Sequence, residues 1–137
     1  MPKMTVAEIE ALMDAGFPDW RRLSQIEGMT ENDITLRMPF KSSLMRAGGT
    51  ISGPALMALA DTAAYFVTLA HAGPEVASAA TANLDIHFLA RPKAADITAT
   101  ATMLRLGRRL AVSKVDCYSD KDLVAHATVT YALPARG

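Results

Sequence analysis

The 137-residue chain has a single cysteine, Cys117, so no disulfide can form within it. A lone cysteine is typical of a reducing compartment, and we expect a cytoplasmic location. The 14 basic and 14 acidic residues cancel, which leaves no excess charge for nucleic acid or an anionic membrane surface. The N-terminal segment has no continuous apolar core and does not resemble a signal peptide. These absences argue against secreted, membrane-bound and nucleic-acid-binding proteins.

Motifs for metal and nucleotide chemistry are also lacking. His71, His87 and His126 do not have metal-ligand spacing, and there is no His-Glu-x-x-His motif. Neither a Walker-type loop nor a Gly-x-Gly-x-x-Gly motif is present, and no Gly-x-Ser-x-Gly sequence marks a serine nucleophile. We therefore expect no metal and no cofactor.

Half of the residues are hydrophobic, and the length suits one domain with one core. Thr5 and Glu8 have the spacing of a capping box, which predicts a short helix ending near Gly16. We expect a single domain over residues 1–137, with residues 1–20 as an N-terminal helical extension.

A long helix is predicted to start at Ser52, Gly53 and Pro54, where a capping hydroxyl precedes a proline in the first turn. The residues that follow are apolar almost all round, so the helix should be buried on most sides. Gly73 and Pro74 stop it. This apolar stretch contains Asp61 and is too short and broken for a comfortable membrane span.

The remaining segments read as strands. Two runs within residues 23–40 flank a turn at Glu31–Asn32, and period-two alternation is clearest in residues 97–106. Three consecutive long strands joined by tight turns predict an antiparallel meander whose apolar face the long helix covers. The fold class is therefore α+β, with five to six antiparallel strands. The other predicted strands are residues 78–89, 110–118 and 123–133.

Asp61 is the most informative residue, because aspartate is unfavourable in the interior of an apolar helix. A buried carboxylate is costly unless it is hydrogen-bonded or protonated, and desolvation makes it a better general base. The alternative is structural: Asp61 would lie on a narrow exposed stripe with Thr62 and Thr68, or at a subunit interface. The pattern alone leaves both interpretations open.

Two further groups have a functional and an ordinary interpretation. The N–H of Gly53, at the helix N-terminus, could polarise a carbonyl oxygen, but Ser52 and Gly53 could equally be a simple helix cap. Arg105, Arg108 and Arg109 surround a predicted turn, and Arg91 lies at another strand end. Such clusters suit phosphate groups, although a solvated strand end would look the same.

Residues 52–63, SGPALMALADTA, resemble the His-Gly-Gly…Leu-Ala-Asp-Thr-Ala signature of the PaaI-like hotdog-fold acyl-CoA thioesterases, the phenylacetate-pathway type. Residues 81–92, TANLDIHFLARP, resemble that family's long strand with its Arg-Pro ending. Residues 105–109 and 123–127 resemble its closing meander. The likeness runs in consistent order over residues 23–133 and implies the hotdog fold, a long central helix wrapped by an antiparallel sheet.

The resemblance implies that Asp61 is the general base or nucleophile, that Gly53 N–H polarises the thioester carbonyl, and that Thr81 helps to position water. It implies acyl-CoA as substrate and assembly as a homodimer or a tetramer (a dimer of dimers). Asp61 would then face Ser52 and Gly53 of the other subunit. It implies that the arginines near Gly107 meet the CoA phosphates. We expect contacts to substrate or CoA from Arg46, Thr62, Asn83, Arg91, Arg105, Arg108 and Arg109, although Arg46 could instead point to solvent.

The chain departs from the family pattern at the motif histidine, which is Ser52, at the second glycine, which is Pro54, and at the usual asparagine, which is Arg46. Three functions share this fold. We favour an acyl-CoA thioesterase. A non-hydrolytic acyl-CoA binding protein is the first alternative, suggested by Arg46 and Ser52. A hydratase or dehydratase ranks lowest, because no catalytic histidine stands at the expected places beside the acid.

Overall fold

A 20-residue helix lies against one face of a six-stranded antiparallel sheet in the computed structural model, which describes residues 2–46 and 49–135. The expected arrangement is confirmed, with six strands. The helices are α1 (Val6–Gly16), α2 (Trp20–Leu23) and α3 (Gly53–Ala72), and the strands are β1 (Gln25–Met29), β2 (Asp33–Met38), β3 (Ala80–Phe88), β4 (Ile97–Leu106), β5 (Leu110–Ser119) and β6 (Asp122–Ala132).

The strand order across the sheet is β1-β2-β4-β5-β6-β3. Strands β4, β5 and β6 form the predicted meander, and β3 pairs with β6 on its far side. The β5–β6 turn is tight, with Asp120 at a φ of 58°. β3 is therefore an edge strand, and within the described part of the chain its outer edge pairs with no other strand.

Helix α3 begins and ends where its sequence predicts. The Ser52 side chain accepts a hydrogen bond from Ala55 N over 3.2 Å, and Gly73 ends the helix at a φ of 95°, which side-chain-bearing residues rarely adopt. By length and mean hydropathy α3 could cross a membrane, but 67% of its apolar window is buried inside the protein, as in a core helix. Its buried side chains, Phe66 among them, pack on the inner face of the sheet.

The N-terminal helices pack beside α3. The capping box of Thr5 and Glu8 is confirmed, and the buried Ile9 and Met13 dock α1. The short helix α2 was not predicted, and the expectation that a strand begins at Leu23 is wrong, because this residue ends α2. The tryptophan that begins α2, Trp20, is buried and meets Phe66 edge-on, with ring centroids 5.3 Å apart.

Candidate active site

Asp61 lies in the middle of α3, and one oxygen of its carboxylate accepts two hydroxyl hydrogen bonds. Thr81 Oγ1, on β3, donates to Asp61 Oδ1 over 2.8 Å, and the Tyr131 hydroxyl, on β6, donates to the same oxygen over 2.7 Å. The Tyr131 hydroxyl also lies 3.1 Å from the Asp61 carbonyl oxygen. The other carboxylate oxygen, Oδ2, accepts no hydrogen bond from residues 2–46 or 49–135. The carboxylate is thus held in place through Oδ1, whereas Oδ2 has no hydrogen-bond donor among the described residues.

The expectation that Asp61 is a buried acid is wrong for the single chain, since the residue is only partly buried. It belongs to an open stripe along α3, where positions about one helical turn apart are left uncovered by the sheet. The alternative interpretation, in which Asp61 shares an exposed stripe with Thr62 and Thr68, is correct for Thr62. It is wrong for Thr68, which is buried and donates to Ala64 O. The open stripe consists of Pro54, Met57, Ala58, Asp61, Thr62 and Tyr65.

Tyr131 is the site residue that the sequence analysis missed. Its side chain is 5% exposed, and burial raises the pKa of its hydroxyl well above the ordinary 10.0, so the hydroxyl remains a protonated donor. The ring lies 5.7 Å from that of Tyr65, centroid to centroid. Tyr131 faces inward on β6 with Ala127 and Val129. A tyrosine at an inward position needs a partner for its hydroxyl, and this was the available signal.

The N-terminus of α3 forms a second cluster. Ser52 caps the helix, and the N–H of Gly53 belongs to the first turn, where no intrahelical acceptor exists. Gly53 packs under the Phe88 ring, since a Cβ added to it would lie 3.4 Å from Phe88 Cζ. Arg46, Gly53, Phe88 and Arg91 line one cavity of about 570 Å³. Two guanidinium groups beside a helix N-terminus favour an anionic ligand.

A second cavity, of about 630 Å³, lies on the other side of Asp61. Thr62 lines it and donates its hydroxyl to Ala58 O over 2.8 Å. Tyr65 and Tyr131 also line it, so this cavity touches the immediate neighbours of the Asp61 carboxylate. The first cavity is called the arginine cavity below, and the second the aromatic cavity.

The remaining residues that were predicted to contact substrate or CoA do not lie together. Asn83 donates to Asp85 on the same strand over 3.2 Å. Arg105 is the second-last residue of β4, and Arg108 and Arg109 follow at the β4–β5 turn; all three are exposed and line neither cavity. The structure thus brings Thr81 to Asp61 and joins Arg46, Gly53 and Arg91, but it keeps the turn arginines apart from both groups.

The acid and the helix N-terminus do not meet within one chain. Asp61 follows Gly53 by eight residues on the same helix, which places them about 12 Å apart at the usual rise per residue. One thioester carbonyl cannot touch both groups of the same chain. A site that uses both therefore needs two copies of the chain.

Neither a metal site nor a thiol nucleophile is built from the described residues. Across residues 2–46 and 49–135, no three His, Cys, Asp or Glu side chains are grouped so that they could hold a metal ion. Cys117 is buried, and that burial raises the pKa of its thiol to about 12, so the thiolate needed for nucleophilic attack is not formed near neutral pH.

A long helix covered by a six-stranded antiparallel sheet, with an acid in mid-helix, defines the class: this is the hotdog fold of the thioesterases. The family model of the thioesterase superfamily matches residues 48–132, more than half of the chain. The chain belongs to the thioesterase superfamily. This membership places it among hydrolases, as the sequence predicted.

Individual relatives agree with this assignment. A crystal structure from Silicibacter sp. TM1040, provisionally assigned as a thioesterase, is 32% identical with a TM-score of 0.86, covering 98% of this chain and 94% of that one. The phenylacetic acid degradation protein PaaI of Thermus thermophilus (an N33D mutant structure) shares the fold at 22% identity and a TM-score of 0.74, over 85% and 97% of the two chains. A provisionally assigned esterase of Halobacterium salinarum is 29% identical over 82% of this chain and 76% of its own length.

Proposed function

We propose that the chain hydrolyses acyl-CoA thioesters with Asp61 as the catalytic carboxylate. The observation that carries the proposal is the pair of hydroxyls, from Thr81 and Tyr131, that hold Oδ1 and leave Oδ2 for a reacting group. A positioned carboxylate is a competent general base when its free oxygen reaches the proton that it must take. Membership of the thioesterase superfamily supports the thioester bond as the target.

In the first possible course, Asp61 Oδ2 takes a proton from a water molecule, and the water oxygen attacks the thioester carbonyl carbon. Negative charge develops on the carbonyl oxygen, where the N–H of Gly53 at the helix N-terminus stabilises it. The C–S bond then breaks, and the CoA thiolate leaves with the proton that Asp61 took. The products are a free carboxylic acid and CoA.

In the second course, Oδ2 attacks the carbonyl carbon directly and expels the thiolate. The resulting mixed anhydride is then opened by water, which returns Asp61 as a carboxylate. Thr81 donates to the carboxylate itself, so in either course its role is to orient Asp61 rather than only to hold water. The sequence resemblance leaves both courses open.

We further propose that the working unit contains two copies of the chain. Asp61 and the Gly53 N–H are about 12 Å apart in one copy, and a second copy can supply the missing group. Two exposed features support an interface here: the outer edge of β3, nine residues long, and the open stripe of α3 beside it. Unpaired edges of that length template pairing with another chain. A homodimer, or a tetramer made of two such dimers, meets the requirement.

The arginine cavity is the proposed entry for CoA. Arg46 and Arg91 offer planar donor groups that match phosphate oxygens, and the adjacent Gly53 would meet the thioester carbonyl. The turn arginines Arg108 and Arg109 are exposed and lie outside this cavity, so we assign them at most to the outer part of the CoA nucleotide.

The test is the release of free thiol from a panel of aliphatic and aromatic acyl-CoAs, comparing the wild type with Asp61→Ala and Asp61→Asn. The asparagine variant keeps an oxygen for Thr81 and Tyr131 and removes only the base, so its kcat should fall by about 10²- to 10⁴-fold. Because Cys117 is buried, a thiol reagent reports CoA alone. Equal activity in the variants would contradict the role of Asp61.

The same panel tests the alternative, a non-hydrolytic acyl-CoA binding protein, which Arg46 and Ser52 favour because they replace the family's asparagine and histidine. Binding of acyl-CoA without thiol release in the wild type would support that alternative. A Ser52→His variant that gains thiol release would show that this replacement has removed hydrolysis, whereas unchanged rates would show that the cap position does not set them.

A further inference from the structure

The aromatic cavity lies between the N-terminal helices and α3, and half of the chain's aromatic side chains line it. The chain contains one tryptophan, three tyrosines and four phenylalanines. Four of these eight rings face this one cavity: Phe17, Trp20, Tyr65 and Tyr131. Leu12, Met13 and Leu23 supply most of the remaining apolar wall. An apolar cavity of about 630 Å³ is of the size that holds small organic ligands.

The side-chain hydrogen-bond donors of this wall already have partners. Trp20 Nε1 donates to Asp14 Oδ1 over 2.9 Å, and the Tyr65 hydroxyl donates to Ala77 O over 2.5 Å. Thr62 and Tyr131 donate to Ala58 O and to Asp61, as described above. A ligand in this cavity is therefore offered contact area rather than free hydrogen-bond donors, which selects an apolar group.

An ion pair joins α1 and α2 beside the cavity wall. Arg21 Nε donates to Asp14 Oδ1 over 2.8 Å, and Arg21 Nη2 donates to Asp14 Oδ2 over 3.0 Å. The Arg21 guanidinium also stacks 4.6 Å from the centroid of the Trp20 ring. Asp14 also accepts from Trp20, and these bonds from Arg21 and Trp20 lower the pKa of the Asp14 carboxyl. This ion pair is about half exposed, at 51% and 45% of the two side chains, so it links α1 and α2 without by itself fixing the cavity wall.

The two cavities differ in the charge of their lining residues, and this difference indicates which end of an acyl-CoA each one would bind. Among the described residues that line the aromatic cavity, Asp19 is the only charged one, and its exposed carboxylate lies 3.6 Å from Arg22 Nε, so the lining supplies no cation for phosphate. The arginine cavity carries Arg46 and Arg91 instead. The CoA phosphates thus fit the arginine cavity of one copy, and the aromatic cavity of the copy that supplies Asp61 is left for the acyl group.

We infer that the aromatic cavity binds the acyl group, and that it selects bulky, uncharged acyl groups of medium-chain or arylalkyl size over acetyl and over acyl groups with a second carboxylate. The inference rests on the proposed function for its link to Asp61. Acetyl would leave most of the cavity unfilled, and a terminal carboxylate would meet an apolar wall whose described lining residues offer no cation. The N-terminal helices, outside the residues that carry the acid, would therefore determine specificity.

Chain-length kinetics test this inference. For the wild type, kcat/KM should rise at least about tenfold from acetyl-CoA to decanoyl-CoA and to 4-phenylbutanoyl-CoA, with succinyl-CoA as poor as acetyl-CoA. Ala79→Leu narrows the cavity wall and should lower kcat/KM for decanoyl-CoA about tenfold while acetyl-CoA changes less than about twofold. Ala11→Leu, exposed on α1 outside the cavity, is its control.

A second variant tests the inference at an exposed position, where a substitution is not expected to disturb folding. Phe17 is 60% exposed on the cavity rim, so Phe17→Ala leaves the core intact and should raise KM for decanoyl-CoA but not for acetyl-CoA. Leu123→Ala, which removes another exposed apolar side chain far along the sequence, should leave both values unchanged. Thiol release that is independent of acyl size, and of both cavity variants, would overturn the inference and leave the proposed function standing.

Tryptophan fluorescence distinguishes a failure of the proposed acyl site from a failure of the proposed hydrolytic function. Trp20 is the only tryptophan and lines the cavity, so its emission reports an occupant without any turnover. In Asp61→Asn, decanoyl-CoA should change this emission saturably, whereas acetyl-CoA and CoA should not. If no acyl-CoA is hydrolysed but decanoyl-CoA still changes the emission, the proposed function fails and the acyl site stands. If decanoyl-CoA has no effect beyond that of CoA, the site is contradicted.

Discussion

The Asp61 carboxylate has two hydroxyl partners from two different strands, and only one of them was within reach of sequence reasoning. Asp61 stands out because it interrupts an apolar helix, and Thr81 was implied by the family resemblance. Tyr131 lies 70 residues from Asp61 along the chain, and no local pattern joins them. The contact arises only when β6 crosses beneath α3. Long-range contacts of this kind are set by the packing of the whole sheet, which a single sequence does not reveal.

The role of Tyr131 as a positioning residue gives a residue-scale prediction. Tyr131→Phe keeps the ring and its packing on Tyr65 but removes the hydroxyl that holds Oδ1. We expect kcat to fall about tenfold with KM nearly unchanged, and the free energy of unfolding to fall by only about 1 kcal/mol. Steady-state kinetics and urea unfolding measure the two effects.

The control for this prediction is Tyr118→Phe, which removes a hydroxyl from β5 on the opposite face of the sheet. It should leave both kinetic constants as they are in the wild type. A Tyr131→Phe enzyme with wild-type kcat would show that the hydroxyl does not position the acid, even if its stability were reduced.

At the scale of elements, the strength of local signals decided what the sequence predicted. Helix α3 carries a capping serine, a proline in its first turn and a stopping glycine, so its limits were predicted to the residue. The meander strands alternate regularly and were placed within a residue or two. Helix α2 has four residues, too few for any periodicity, and it forms because Trp20 anchors it on Phe66.

The same reasoning explains why the aromatic cavity was not predicted. Its wall combines α1, α2, α3, β6 and the segment after α3, and no two of these share a sequence motif. The sequence analysis treated residues 1–20 as an extension with no visible docking partner. In the structure, that segment is packed against the helix that carries Asp61, with Lys3 N donating to Ala70 O over 2.6 Å.

At the scale of the whole molecule, buried ionisable groups should lower the free energy of unfolding at alkaline pH. Burial raises the pKa of Cys117 from 9.0 to about 12, and it raises the pKa of Tyr131 above 10.0. The unfolded chain therefore loses protons that the folded chain keeps. The free energy of unfolding should hold to about pH 8.5 and then fall, by up to about 1.4 kcal/mol per pH unit for each group.

Urea unfolding between pH 7 and pH 10.5 measures this dependence. Cys117→Ala should flatten the first part of the decline, near pH 9, whatever its effect on stability at neutral pH. A wild-type stability that is constant up to pH 10.5, or a decline unchanged in Cys117→Ala, would contradict the burial of an ionisable thiol in the core.

The central claim is that Asp61 of one copy and the Gly53 N–H of another act on the same thioester. Two inactive variants can test it together. Asp61→Asn removes the base, and Gly53→Pro removes the N–H. Ser52 is extended, with φ −71° and ψ 150°, as a following proline requires, but Pro54 disfavours helical dihedrals at residue 53, so circular dichroism must show wild-type helix content in this variant. Gly53→Ala, which keeps the N–H and fits against Phe88, is the control and should remain active.

The decisive measurement is thiol release from decanoyl-CoA after the two inactive variants are co-expressed. In a mixed dimer, one site combines both substitutions and the other combines wild-type Asp61 with wild-type Gly53. Random pairing in a two-fold dimer then predicts recovery of about a quarter of wild-type activity, although each variant alone is inactive. If mixed dimers are present and activity does not return, the acid and the N–H do not act across two copies, and the account is contradicted.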